Sequence, residues 1–313
     1  MFVINHKKIF FALSAIFVGL AIFSICFFGL NFGIDFKGGA ILEISYPMTS
    51  LDVEKPDIKE LKTELQQLGL GSFTIQETSA TKSGELGGFI LRTKDLTEKE
   101  RQSVIAVLSQ NGQYQIEEKR YNSIGPVIGK ELKDKALWAI LIVVVAIILF
   151  ITFAFRKVSK TASNAIGKVS SWKYGFAAII ALSHDVIIPT GIYAYLGSVF
   201  VEYQINTIFI MAILAILGFS VNDTIVVFDR VRENLALAKK ETFDEAAGKS
   251  LRQTVARSIN TSLTTLAVLL ALYFFGGEAT KQFALILSMG VVVGTYSSIF
   301  LATPLLTLFQ KRK

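Results

Sequence analysis

A chain of 313 residues that is 52% hydrophobic, carries a formal charge of +7 and holds a single cysteine, Cys26, is neither a disordered polyelectrolyte nor a disulfide-stapled secreted domain. The apolar residues gather into long runs instead of scattering, and that distribution excludes an ordinary soluble domain. Charge-free runs cover Ile9 to Leu30, Ala136 to Phe155, Ser258 to Phe275 and Phe283 to Phe309. Tyr174 to Leu196 and Ile205 to Phe228 are similar but enclose His184-Asp185 and Asp223. About 20 helical residues at 1.5 Å each cross a hydrocarbon layer of about 30 Å, so the six runs predict six transmembrane helices. Helices alone satisfy their own backbone hydrogen bonds in lipid, which excludes open strands there.

In chain order, residues 1–30 form a short tail and the first span. The run from Ile9 is longer than a signal-peptide core, and no small-x-small cleavage signal follows Gly29-Leu30, so it reads as an uncleaved anchor. Residues 31–135 are long enough for one small domain. Ala40 to Tyr46 reads as a strand. Asp57 to Leu68 places Ile58, Leu61, Leu65 and Leu68 on one helical face, with Gly69 to close it. Ser72 to Thr78 alternates like a half-buried strand, Thr81 to Glu85 suits a turn, and Gly87 to Thr93 is a further strand. Thr97 and Glu100 have capping-box spacing for a helix reaching Leu108, and Tyr114 to Tyr121 closes as a strand. The order βαββαβ is that of a ferredoxin-like split βαβ domain, an α+β fold that hosts many unrelated functions.

Residues 136–313 carry the other five spans. The segment 229–257 is charged with scattered apolar residues and is expected to lie along the membrane surface as an amphipathic helix. Gly290 and Gly294 form a small-xxx-small patch for close helix packing. Gly33, Gly38 and Gly39 are expected to turn the chain from the first span into the first strand, with Asp35 and Lys37 meeting the segment near Gly125. Lys and Arg concentrate at Lys7-Lys8, Arg156 to Lys173, Arg230 to Arg257 and the C-terminus, whereas the short loops opposite carry only Lys281. The positive-inside rule then puts both termini in the cytoplasm and the 31–135 domain outside. A polyanion-binding role for the basic loops is the other reading of this charge.

Polar residues inside the spans point to chemistry. An Asp near a helix centre costs about 2.5–3.5 kcal/mol on insertion, and intramembrane carboxylates mark ion or proton pathways by default. Asp223, beside Asn222, lies roughly 8 Å from the basic end of the fourth span, and desolvation there suits it to carry a proton reversibly. On the next span Arg257, Thr261, Thr264 and Val268 share one face, with Thr261 and Thr264 at the depth of Asp223, so Arg257 is expected either to pair with Asp223 or to snorkel to headgroups. Asp185 lies about 16 Å into the third span, and adjacent His184 is expected to point away from it. Structural hydrogen bonding is the competing role for both carboxylates. An aspartyl-protease reading is disfavoured because the two depths differ by about 8 Å and no glycine-flanked GxGD pattern surrounds Asp223.

Five stretches carry a family resemblance: Gly33 to Gly39, Ile124 to Lys130, Ser183 to Asp185, Gly218 to Asn234 and Thr261 to Thr265. They span nearly the whole chain, and together they resemble the SecD/SecF family of the resistance–nodulation–division superfamily. The resemblance implies an export-assisting membrane subunit rather than an enzyme, driven by the proton-motive force with no cofactor. It implies Asp223 as proton carrier and Arg257 as charge partner. It also implies a bacterial cytoplasmic-membrane location and, as partners, SecD, the SecYEG channel, the SecA motor, the preprotein, and further YajC and YidC. Fused members carry both halves in one chain, and this chain carries one, so its proton path is expected to need the partner. A scaffold for SecD without conduction, and a small-molecule efflux half-transporter, are the alternatives.

Overall fold

The computed structural model describes residues 2–47, 55–78, 85–155, 171–200, 202–237 and 242–309. The chain divides into two compact units, Phe32–Lys135 and the remainder, Met1–Asn31 with Ala136–Lys313. The expected turn from Thr81 to Glu85 lies largely outside the described residues.

In the smaller unit, strands β1 (Gly39–Pro47), β2 (Thr74–Thr78), β3 (Glu85–Thr93) and β4 (Glu117–Ile124) form an antiparallel sheet of order β2-β3-β1-β4. With α2 (Ile58–Gln67) after β1 and α3 (Glu98–Leu108) after β3, this is the split βαβ arrangement. One face of β1 carries Ala40, Leu42, Ile44 and Tyr46 into the core, where they meet Leu61 and Leu65 of α2 and Val104 and Leu108 of α3. The Tyr46 hydroxyl donates to the Leu108 carbonyl at 2.7 Å, and burial raises its pKa far above the usual phenol range. Thr97 and Glu100 close the expected capping box. The last strand runs a few residues later than its sequence pattern suggests, because Tyr114 packs on the core as part of the loop that precedes β4.

The glycine motif explains its own composition. Gly33 and Gly38 bracket a helical turn, Ile34–Lys37, and Gly38 and Gly39 have φ of 77° and 130°, which L side chains rarely adopt. A Cβ on Gly38 would lie 2.8 Å from Pro126 Cα, and one on Gly129 would lie 2.9 Å from the Gly38 nitrogen. The segment near Gly125 is therefore met by interlocking backbone. Asp95 also reaches it by a side chain, accepting from the Ser123 hydroxyl.

Among the described residues, six helices are long and apolar enough to cross a membrane. They are α1 (Lys7–Phe28), α4 (Pro126–Ala154), α5 (Ser171–Val199), α6 (Thr207–Leu237), α7 (Phe243–Phe275) and α8 (Glu278–Ser297), the last continued by a π turn, Ser298–Ala302, and a helical end, Thr303–Leu308. In this unit α1 packs on α5, and α8 packs on α5, α6 and α7. Among the described residues of 229–257, the expected amphipathic surface helix is not found. Instead α6 runs on to Leu237 and α7 already begins at Phe243. Val231 and Leu235 continue the buried face of Val227 and Phe228, and Phe243 and Leu251 join the same core with Phe155, Tyr174 and Ile4. Asn234 braces the two extensions, donating to Ser250 Oγ at 2.7 Å and Gln253 Oε1 at 2.9 Å.

Candidate functional site

Among the described residues, two carboxylates are buried inside the helical unit, Asp185 on α5 with no exposure and Asp223 on α6. Serine hydroxyls hold both. Ser220, one turn before Asp223 on α6, donates to Asp185 Oδ2, as does Ser297 from the end of α8 at 2.6 Å. The next residue, Ser298, donates to Asp223 Oδ2, and Ser258 of α7 donates to Asp223 Oδ1 at 2.5 Å. Consecutive residues of one helix thus serve two carboxylates on two other helices. Deeper along α7 and α8, the Ser262 and Thr295 hydroxyls meet at 2.5 Å.

The local sequence builds this arrangement. Pro304 has no N–H to give and its ring crowds the carbonyl of Phe300, which breaks the regular ladder and leaves the π turn. Thr303 Oγ1 bonds back to the Ser298 carbonyl at 3.1 Å, closing that turn. Small residues let the helices approach. Gly294 faces Ser220, and a Cβ on Gly290 would lie 2.1 Å from Ile216 Cγ1, so the small-xxx-small patch carries the crossing of α8 and α6.

His184 departs from expectation. Its Nδ1 lies 2.9 Å from Asp185 Oδ1, because a ring nitrogen close to the backbone can reach a neighbouring carboxylate despite the divergence of adjacent side chains. The ring stacks on Tyr296 at 5.9 Å between centroids, and its Nε2 is buried without a hydrogen-bond partner among the described residues.

Of the two roles open to Arg257, the pair with Asp223 is not formed among the described residues. Arg257, Thr261 and Thr264 do share one face of α7, but that face is exposed, as is Asn222 on α6. The face of α7 turned to Asp223 is one residue later, Thr254, Ser258 and Ser262, all buried. One residue is about 100° of rotation, enough to take Arg257 off the packed surface. The hydroxyls of Thr264 and Thr265 bond to carbonyls of their own helix. Sequence reasoning missed the serines, although Thr254, Ser258 and Ser262 recur at the four-residue spacing of a helix face and could have been found that way.

The model described as Protein export membrane protein SecD/SecF, C-terminal matches residues 103–312, and that of the SecD/SecF GG Motif matches residues 23–46. The chain belongs to the SecD/SecF family. Protein translocase subunit SecF of Thermobaculum terrenum is 38% identical over 99% of this chain and 94% of its own length. The SecF subunit of Anaerolinea thermophila is 35% identical over 98% and 94%. Among solved structures, SecDF of Thermus thermophilus, a translocon-associated membrane protein, superposes with a TM-score of 0.77 at 30% identity. That match covers 97% of this chain and 38% of the SecDF chain. The relatives are named as translocase subunits, a transport role and not a catalytic one.

Proposed function

We propose that this chain is the SecF-type subunit of a Sec export apparatus that couples proton flow to polypeptide translocation. The observation that carries the proposal is the pair of buried carboxylates held by hydroxyls alone, apart from His184 on Asp185, with no Lys or Arg bonded to either among the described residues. A fixed structural charge in a low-dielectric interior calls for a fixed counter-charge. A carboxyl that alternates between protonated and ionised forms calls instead for hydroxyls, which both donate and accept. Asp223 is the proton carrier, Asp185 a second site, and Ser297-Ser298 the link between them.

Arg257 acts as the electrostatic switch from the exposed face of α7. A guanidinium and the Asn222 amide on membrane-facing surface, beside Thr261 and Thr264, are costly against lipid, which favours burial of this face against a SecD-type chain. That chain completes the path. The domain 32–135 lies outside the bacterial cytoplasmic membrane with both termini in the cytoplasm, by the distribution of basic loops. SecYEG, SecA and the preprotein are the functional partners, with YajC and YidC as further associates, and the proton gradient is the energy source with no cofactor.

The test is proton flux in vesicles holding this chain, its SecD-type partner and an engaged secretory substrate. Asp223→Asn is expected to assemble normally and lose the flux. Unchanged flux assigns Asp223 a hydrogen-bonding role and makes the chain a scaffold.

A further inference from the structure

We propose that a groove between α7 and α8 binds one anionic phospholipid, its acyl chain along the groove and its phosphate at Arg252. The groove, of about 240 Å³, is lined among others by Val255, Ile259, Leu263, Leu266, Val292 and Phe300. A second hollow of about 170 Å³ shares Val255 and Ile299 with it and opens beside Phe2, Ile4 and Arg252. The two hollows adjoin at Val255 and Ile299, with Arg252 lining the second.

Three features fix the chemistry of the occupant. The first is polarity. The hydroxyls that line the groove are already satisfied: Ser262 and Thr295 bond each other, and Tyr296 Oη donates to the Phe10 carbonyl at 3.2 Å. Nothing in the groove asks for a hydrogen bond, which suits a hydrocarbon chain. The second is length. From Val255 to Leu266 the helix rises about 16 Å, close to the roughly 15 Å of one bilayer leaflet. The third is charge. Arg252 is exposed at the mouth, and among the described residues no acidic side chain lines either hollow. A guanidinium beside an apolar slot at headgroup level recognises a phosphate, as a bidentate donor.

The choice between lipid and a protein helix follows from the faces of α7. Arg252, Val255, Ile259, Leu263 and Leu266 form one stripe at helical spacing. Arg257, Thr261 and Thr264, two residues out of phase, point to the opposite side. A partner chain that covers the polar face leaves the groove face to the bilayer.

The experiment uses the full chain purified in detergent, with phosphatidylglycerol or phosphatidylcholine of matched acyl chains, and reads retained lipid by native mass spectrometry. The expected result is one retained phosphatidylglycerol, preferred about fivefold over phosphatidylcholine, the factor that about 1 kcal/mol per basic residue gives. Arg252→Gln is expected to abolish the preference while leaving acyl occupancy. Leu263→Trp fills the groove and is expected to lower retention of both lipids; Leu263 is 58% exposed, so the fold tolerates it. Equal retention of the two lipids by the unsubstituted chain, or no effect of either variant, overturns the proposal. A photo-crosslinker at position 259, introduced in cells, supports it by yielding a lipid adduct and overturns it by yielding an adduct to a protein partner.

Discussion

Gly191→Ala is expected to loosen the packing of α1 on α5 by an amount the geometry sets. A Cβ at residue 191 would lie 2.4 Å from the Ala21 Cα, 2.5 Å from its Cβ and 2.7 Å from its carbonyl oxygen. Carbon atoms rest at about 3.5–4.0 Å, so the helices must part by about 1 Å, and no flexible side chain can give way in their place. That displacement also stretches the bond from Ser24 Oγ to the Gly191 carbonyl, now 2.7 Å, beyond hydrogen-bond range. Overpacking costs about 1–3 kcal/mol, and a hydrogen bond between membrane helices contributes about 0.6 with a maximum near 1.7. The sum is a loss of about 2–4 kcal/mol. Reversible unfolding in mixed detergent–SDS micelles, followed by tryptophan fluorescence, measures it. Ser24→Ala alone should lose only about 0.6 kcal/mol. Adding Ala21→Gly to Gly191→Ala should restore part of the loss and no more, since the Ala21 Cα remains in the way. A Gly191→Ala chain as stable as the original, within about 0.5 kcal/mol, would refute the close backbone crossing.

Asn234→Ala should destabilise the basic end of the bundle by about 1–3 kcal/mol, read by protease cleavage between α6 and α7, because it removes the donor shared by Ser250 and Gln253. Gly88→Ala should separate β1 from β3, since a Cβ there would lie 1.8 Å from the Ile44 carbonyl oxygen; amide exchange of β3 in the full chain is the readout. Arg257→Gln should leave thermal stability unchanged, Arg257 being exposed, yet abolish proton flux in partner-containing vesicles. The Glu100 carboxyl sits at about 2 against an ordinary 4.5, lowered first by the Lys94 side chain and then by Thr97. A depressed folded value stabilises the domain above about pH 4.5 and loses that contribution as pH falls toward 2. Acid unfolding of Glu100→Gln, compared with the unsubstituted chain, should therefore show a shallower decline in that window.

Much of this molecule was legible one segment at a time. The spans could be read because lipid demands long apolar helices whatever the neighbours are. The split βαβ order could be read because alternation, helical spacing and the Thr97–Glu100 capping box are local signals. Asp223 and Asp185 stood out as carboxylates in hydrocarbon sequence. Local pattern failed where a second helix decided the outcome. Segment 229–257 looks like a surface helix because its charges dominate the average, yet Val231, Leu235, Phe243 and Leu251 have a core to enter only once α6 and α7 lie side by side.

The sequence by itself determined the number of spans, the domain between the first and second, and which ionisable groups the membrane must tolerate. Those follow from the transfer energies of single residues and from helix and strand periods. Only the tertiary structure decided that serines, rather than Arg257, hold Asp223, and that Ser297 and Ser298 reach two different carboxylates. The rotation of α7 and the π turn before Pro304 set those contacts, and a change of about 100° reverses them without altering any local pattern.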